Sequence, residues 1–176
     1  MLYPKKVGTL PVKGSNEEKQ TNEIKIAAPM LDAVEIKDRT ITADALLTQR
    51  EFARYLVEDR GSNYHFTVKG NQPNLLEDLT LYFQNTLKAV DFTHTGNGDH
   101  GRIETRKIRV TTALNQYLDF PHVQQAFMIE RESIIKKTGK ETQEIIYGVT
   151  SVPPDQATPE QILNDNRCHW RVESCH

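Results

Sequence analysis

Polar and ionisable side chains occupy one stripe of a predicted helix near the end of the chain. At about 100° per residue, the stripe begins with the apolar Ile162 and continues with Asn166, His169, Glu173 and His176. Burying an unpaired carboxylate is costly, so a helix with this stripe is expected to face a polar active-site cleft. The alternative is that the stripe faces solvent, with Leu163 and Trp170 turned inward.

A second candidate carboxylate, Asp44, follows a short β-prone run at residues 39–43. Ligands in open α/β sheets gather at the carboxyl ends of strands, which makes Asp44 a plausible site residue. The alternative is that Asp44 only begins the turn into the next helix. Thr48 and Glu51 are spaced as a capping box for that helix.

A zinc site is a further possibility, because Cys168-His169 is repeated as Cys175-His176. Residues seven apart in a helix are about 10 Å apart along its axis, whereas zinc holds sulfur at about 2.3 Å. One tetrahedral site therefore cannot use both cysteines unless the helix unwinds. His169, Glu173 and His176 could share another divalent ion, an alternative that stays open.

The elements around these residues alternate between helix and strand. Residues 22–87 are predicted as helix, strand, helix, strand and helix, which favours a parallel α/β sheet. Residues 88–152 are predicted as a β-rich insertion, with a loop at 92–101, a strand at 102–110 and a hairpin around 138–140. Thr158 and Gln161 are spaced as a capping box, with Pro159 opening the last helix, 158–176.

Length and composition limit the remaining choices. With 176 residues we expect a single domain, in which residues 1–21 resemble a cut edge. There is no apolar run of membrane-spanning length, and two cysteines near the end suit a reducing bacterial cytoplasm. The 22 Lys and Arg residues against 24 Asp and Glu residues count mildly against tight DNA binding by this chain alone.

Several ordered blocks resemble the H-repeat-associated branch of the DDE insertion-sequence transposases. They are Ile41 to Ala45, Val68 to Pro73, Gly101 to Arg106, Tyr147 to Ser151, and Arg167 to Glu173. The resemblance runs from about Val7 to the end of the chain. It implies an RNase H-like mixed sheet with flanking helices, in which carboxylates hold Mg²⁺ or Mn²⁺ for DNA strand cleavage and transfer.

The resemblance assigns Asp44 as the family's second catalytic, metal-binding carboxylate and Glu173 as its third. It also makes DNA the expected partner and gives weak candidates for DNA contacts: Lys69, Asn71, Arg102, Arg106 and His169. The family's first Asp, in an Asp-Gly-Lys context on the first strand, has no counterpart among Asp32 and Asp38. Asn166 and His169 stand where related transposases carry Tyr and Arg.

We therefore expect an incomplete fold that lacks its first strands, truncated at both ends, and a chain that is inactive by itself. Missing strands would also favour self-association or pairing with an intact transposase. The alternatives are a non-catalytic module that binds DNA or transposase, and a divalent-metal protein that uses His169, Glu173 and His176.

Overall fold

The sheet that carries the candidate residues is mixed and six-stranded. A computed structural model describes residues 28–98 and 101–173, without the side chains of residues 168–173. The strands are β1 (Thr40–Ala43), β2 (Asn63–Val68), β3 (Phe92–Gly98), β4 (Arg102–Thr111), β5 (Gln125–Ile135) and β6 (Glu141–Thr150). Their order is β1-β2-β6-β5-β4-β3. Only β1 and β2 pair in parallel among these strands; the other neighbours are antiparallel.

Three longer helices accompany the sheet. They are α1 (Arg50–Arg54), which continues as a π-helical turn (Tyr55–Asp59), α2 (Pro73–Asn85) and α3 (Pro159–Glu173). A 3₁₀ turn (Ala45–Leu47) precedes α1. The first predicted helix, 22–36, is helical at 28–32 and has ended before the buried Ile36. The predicted cut edge at 1–21 and the start of that helix lie outside the described residues.

The mixed sheet predicted from the sequence is confirmed, but one of its strands was predicted as a loop. β3 pairs with β4 from Phe92↔Ile108 to Gly98↔Arg102. The sequence did not predict this strand because it is rich in Gly, Asn and His. Such residues are tolerated in β3 because it is an edge strand, with no further strand beyond it in the described chain. Moreover, β6 pairs with β2, so the antiparallel strands extend the same sheet. The single-domain assignment stays a prediction.

Two apolar layers cover the two faces of the sheet. On one face, α1 and α2 pack Phe52, Leu56 and Leu79 against the β2 side chains Tyr64 and Phe66. On the other face, α3 packs against β4 and β5; this layer includes Ile108, Val110, Phe127, Ile129, Ile162 and Leu163. Because strand side chains alternate between faces, neighbouring residues of β5 contribute to different layers.

Helix α3 lies in a curl of the sheet and runs toward the carboxyl end of β2. It contacts β1 and β3, the two outermost strands, as well as β2 and β4, so the sheet must curl around it. Just before the helix, the Ala157 carbonyl accepts from Gln125, which is level with His65 in β2. Ten residues later, Arg167 is within electrostatic reach of Arg106, beyond the end of β2.

The two predicted capping boxes have different outcomes. At α3, Thr158 Oγ1 accepts from Gln161 N–H at 3.3 Å and Gln161 Oε1 accepts from Thr158 N–H at 2.8 Å, which confirms the box. At α1 the prediction was wrong, because Gln49 is the cap residue and makes no side-chain cap bond. Thr48 is instead fully buried, and its hydroxyl donates to the Thr67 carbonyl at 2.7 Å.

Thr158→Ala is expected to lower the free energy of unfolding by about 1 kcal/mol, because it removes the acceptor for the Gln161 N–H. Urea denaturation followed by far-UV circular dichroism measures the difference. Thr86→Ala, at an exposed position without a side-chain hydrogen bond in the described structure, is the matched control. Equal midpoints for the two variants would contradict the role assigned to the cap.

Candidate functional site

Asp44 lies directly after β1, where the chain turns into the 3₁₀ helix. Its Oδ1 accepts from the Leu46 N–H at 3.0 Å, the usual arrangement for an acidic cap residue. The residue is half-buried, and its second carboxylate oxygen has no hydrogen-bond partner in the described part of the chain. One oxygen therefore orients the carboxylate, and no described residue bonds to the other.

The turn that carries Asp44 is tied to the loop after β2. Asn71 Nδ2 donates to the Ala45 carbonyl, and the Thr48 hydroxyl bridges from the same turn to the Thr67 carbonyl of β2. Asn71 Oδ1 is buried and has no hydrogen-bond partner among the described residues. The structure thus brings together two predicted site residues, Asp44 and Asn71, at the carboxyl ends of adjacent parallel strands. Lys69 is exposed at the start of the same loop.

Helix α3 supplies the other predicted carboxylate from its last described residue, Glu173. On the predicted stripe, Ile162 and Asn166 are buried, which agrees with a stripe that faces the sheet. Leu163 is buried as well, as the alternative arrangement required. Glu173 lies six residues, or about 9 Å of helix, beyond Arg167 in the direction of the Asp44 end. The side chains of His169 and Glu173, and His176 entirely, lie outside the described residues.

Arg102 and Arg106 lie on β4 and not in the turns around Asp44. Arg106 pairs across the sheet with Arg131, which pairs with Glu144. Tyr147 pairs with Val68, the last residue of β2, and Glu144 is three positions before Tyr147. The row of Arg106, Arg131 and Glu144 therefore lies about 10 Å beyond the end of β2. Arg102 is exposed at the start of β4.

Glu104 and its arginine partners were not predicted as a cluster. Glu104 accepts from Arg131 Nη2 at 2.7 Å, and its other oxygen is 2.6 Å from Arg106 Nη2. Burial lowers the pKa of Arg106, Glu104 opposes this effect, and the positive charges of Arg131 and Arg167 lower the pKa further. The alternation of charged residues in β4 was a signal for this shared face, but strand pairing was needed to find Arg131.

Asp165 is a further carboxylate that the sequence did not single out. It is half-buried on α3, and burial raises the pKa of its carboxyl group. It makes no hydrogen bond or ion pair within the described residues. The sequence signal for this carboxylate would have been its position next to Asn166 in the predicted helix.

Among the described side chains, which exclude those after Arg167, no group of three or more His, Cys, Asp or Glu is placed to hold a metal ion. None of the described helices is long and apolar enough to cross a membrane.

Comparisons with known proteins agree with the resemblance. The family described as "Transposase DDE domain" matches residues 16–176. The "H repeat-associated putative transposase YhhI" of Escherichia coli is 27% identical over 168 residues, which cover 89% of this chain and 43% of that protein. An "Uncharacterized protein in dhlA 3'region" of Xanthobacter autotrophicus is 33% identical over 122 residues, covering 63% of this chain and 39% of that protein.

A solved structure is also similar in part. It is the piggyBac transposase synaptic complex with hairpin DNA, which matches at 14% identity and a TM-score of 0.37, covering 81% of this chain and 24% of that one. At this TM-score the likeness does not define the fold.

The family assignment rests on the extent of the sequence match. The chain spans about two fifths of the length of the curated relatives that it matches. The family match covers nearly all of the chain, including β1 with Asp44 and α3 with Glu173. The chain therefore belongs to the DDE transposase domain family.

Proposed function

We propose that this chain belongs to a metal-dependent DNA transposase in which Asp44 and Glu173 are two of the carboxylates that hold the catalytic divalent cation. The supporting observation is that Asp44 follows β1 while α3, which includes Glu173, runs toward the same end of the sheet. The RNase H-like arrangement expected from the resemblance is part of this proposal, and DNA is the proposed substrate.

The groups around Asp44 fit a hard cation. Mg²⁺ and Mn²⁺ prefer carboxylate, carbonyl and water oxygens. Asp44 offers one free carboxylate oxygen, and the buried Asn71 Oδ1 is a second hard oxygen without a partner in the described chain. These two groups and Glu173 are the residues that would hold the ion.

A bound divalent ion would stabilise the charge that develops on phosphate oxygens during strand cleavage and transfer. The chain's own residues supply the oxygen ligands and their placement. The Leu46 N–H fixes the Asp44 carboxylate, while Thr48 and Asn71 hold its turn against β2. Two carboxylates leave most of a near-octahedral shell to water, so we expect weak binding and no DNA cleavage by this chain alone.

Titration calorimetry with Mn²⁺ and Mg²⁺ tests the proposed ion site. Asp44→Asn and Glu173→Gln should each lower the affinity about tenfold or more, because each removes an anionic ligand. Asp155→Asn, at an exposed carboxylate in the turn before α3, is the matched control and should bind like the unmodified chain.

The same titration distinguishes the alternative ion site in α3. If His169→Ala and His176→Ala abolish binding while Asp44→Asn does not, the ion is held by His169, Glu173 and His176. No binding by the unmodified chain would contradict the proposed role of Asp44 and Glu173 in this chain. Self-association, pairing with intact transposase, and DNA contacts by Lys69, Asn71, Arg102 and His169 stay predictions.

A further inference from the structure

Three arginines come together on the face of the sheet that α3 covers. We use the term arginine cluster for Arg106 of β4, Arg131 of β5 and Arg167 of α3. Arg106 and Arg131 are cross-strand partners, two residues beyond Ile108 and Ile129, which pack against α3. Alternation along the strands places both pairs on the same face. Arg167 follows Leu163, which packs in the layer under α3, by one helical turn, so it lies on the side of the helix that faces the sheet. Burial is the largest cause of the lowered pKa of Arg106, and the charge of Arg167 lowers that pKa further.

The carboxylates that the structure describes near the arginine cluster do not balance its charge. Glu104 is shared between Arg106 and Arg131, and the more exposed Glu144 is 3.3 Å from Arg131. Arg167 makes one long contact, 3.4 Å to Asn164 Oδ1, and no ion pair within the described residues. Arg131 Nε is buried without a hydrogen-bond partner in the described chain. Counted over the described side chains, the cluster therefore has one excess positive charge and one donor without a partner.

Basic residues on the opposite face of the same strand are balanced. Lys107 pairs with Glu132 and Arg109 with Glu130, one carboxylate for each cation. The excess charge is thus specific to the α3 face. Like charges in a partly buried position repel strongly, so they are stabilised when an anion joins them.

We propose that the arginine cluster binds a backbone phosphate of DNA. Arginine's planar fork suits a phosphate oxygen pair, and Glu104 holds two of the forks in place. The cluster lies beyond the carboxyl end of β2, the end where Asp44 and Asn71 lie, and Glu173 follows Arg167 on the same helix. A phosphate held there would direct the strand toward the carboxylates. This inference rests on the proposed function, which supplies DNA as the substrate.

Arg167→Gln tests the inference, with Lys107→Gln as the control that removes the same charge from the opposite face. Binding of the full chain to a fluorescent duplex oligonucleotide is measured by anisotropy over a range of salt concentrations, with chelator present so that a metal ion makes no contribution. Arg167→Gln should weaken binding about tenfold and reduce the slope of log K against log salt by about 1. Lys107→Gln should change neither quantity.

A second variant, Arg106→Lys, keeps the charge but loses the fork. It should weaken DNA binding while leaving the far-UV circular dichroism and the salt slope near those of the unmodified chain. Inorganic phosphate should compete with the duplex only at concentrations far above that of the duplex, since the site is proposed for a phosphate within a strand that makes further contacts.

Three outcomes would overturn the inference. They are equal losses in Arg167→Gln and Lys107→Gln, no duplex binding by the unmodified chain, and competition by free phosphate at low concentration. Mn²⁺ binding is measured separately for Arg167→Gln, which should bind Mn²⁺ like the unmodified chain. If Arg167→Gln binds DNA as well as the unmodified chain does and Mn²⁺ binding is intact, the phosphate site is refuted and the proposed ion site stands.

Discussion

Gly148→Ala is expected to destabilise the fold by about 3 kcal/mol, the upper part of the usual range for overpacking. Gly148 is the point of β6 where the Phe127 ring lies against the backbone, next to β2. A Cβ at this position would overlap the Phe127 ring and lie 2.6 Å from the Phe66 carbonyl oxygen. The ring belongs to the layer under α3 and the carbonyl to the backbone of the neighbouring strand, so neither can move without disturbing the sheet. Urea denaturation measures the loss.

The control is Gly70→Ala, in the loop after β2. Its added Cβ would meet no atom within 4 Å, and its backbone is not left-handed, so the substitution should be neutral or slightly stabilising. Adding Phe127→Leu to Gly148→Ala should recover part of the stability by shortening the overlapping side chain. Equal stabilities of the two alanine variants would show that Phe127 does not occupy the space above Gly148.

Glu104→Gln is expected to destabilise the fold by about 2 kcal/mol, because it leaves two partly buried arginines without their shared carboxylate. Burial raises the pKa of Glu104, but hydrogen bonds and attraction from Arg131 and Arg106 outweigh burial and lower it overall. A lowered folded-state pKa means that the contribution is complete above the ordinary glutamate pKa. It is lost as the pH falls through the lowered folded-state value.

Stability measured from neutral to acidic pH checks this expectation. The unmodified chain should lose stability below the ordinary glutamate pKa more steeply than Glu104→Gln, and the difference between them should shrink in acid. Glu132→Gln is the control, since Glu132 forms a half-buried pair with Lys107 that is more accessible to solvent than Glu104, and its loss should cost less than that of Glu104. A difference that stays constant with pH would mean that Glu104 contributes through packing rather than charge.

The sequence predicted the elements whose signals are local. Pro73 opens α2, the reciprocal Thr158 and Gln161 bonds open α3, and Gly139, with φ of +67°, forms the predicted hairpin tip. Each of these signals involves residues within a few positions of one another, so no tertiary contact is needed to interpret them.

Long-range contacts decided the elements that were predicted wrongly. Thr48 was spaced as a helix cap, but its hydroxyl bonds to Thr67 on a strand 19 residues away. A buried threonine satisfies whichever acceptor the fold brings near, which local spacing does not reveal. Likewise β3 is polar enough to resemble a loop, and only its pairing with β4 makes it a strand.

The candidate site also has residues placed by local signals and residues placed by long-range contacts. Asp44 is placed by a short local turn, so the strand-end argument located it, and Asn71 joins it through the Ala45 carbonyl. The arginine cluster draws on β4, β5 and α3, with Arg106 and Arg131 meeting only through strand pairing. Neither composition nor spacing identifies such a set, which requires the register of the sheet.

The pairing of β2 with β6 has a consequence for how the chain folds. Tyr64 and Thr150 are 86 residues apart where the threonine hydroxyl bonds to the tyrosine carbonyl, whereas β5 and β6 are joined by a tight turn. Closing a short hairpin costs less chain entropy than closing a long loop, so β5 and β6 should pair early. The β1–β2 unit that carries Asp44 pairs with the rest of the sheet through β6, so we expect this unit, with its Asp44 turn, to join the sheet after the β5–β6 hairpin has formed.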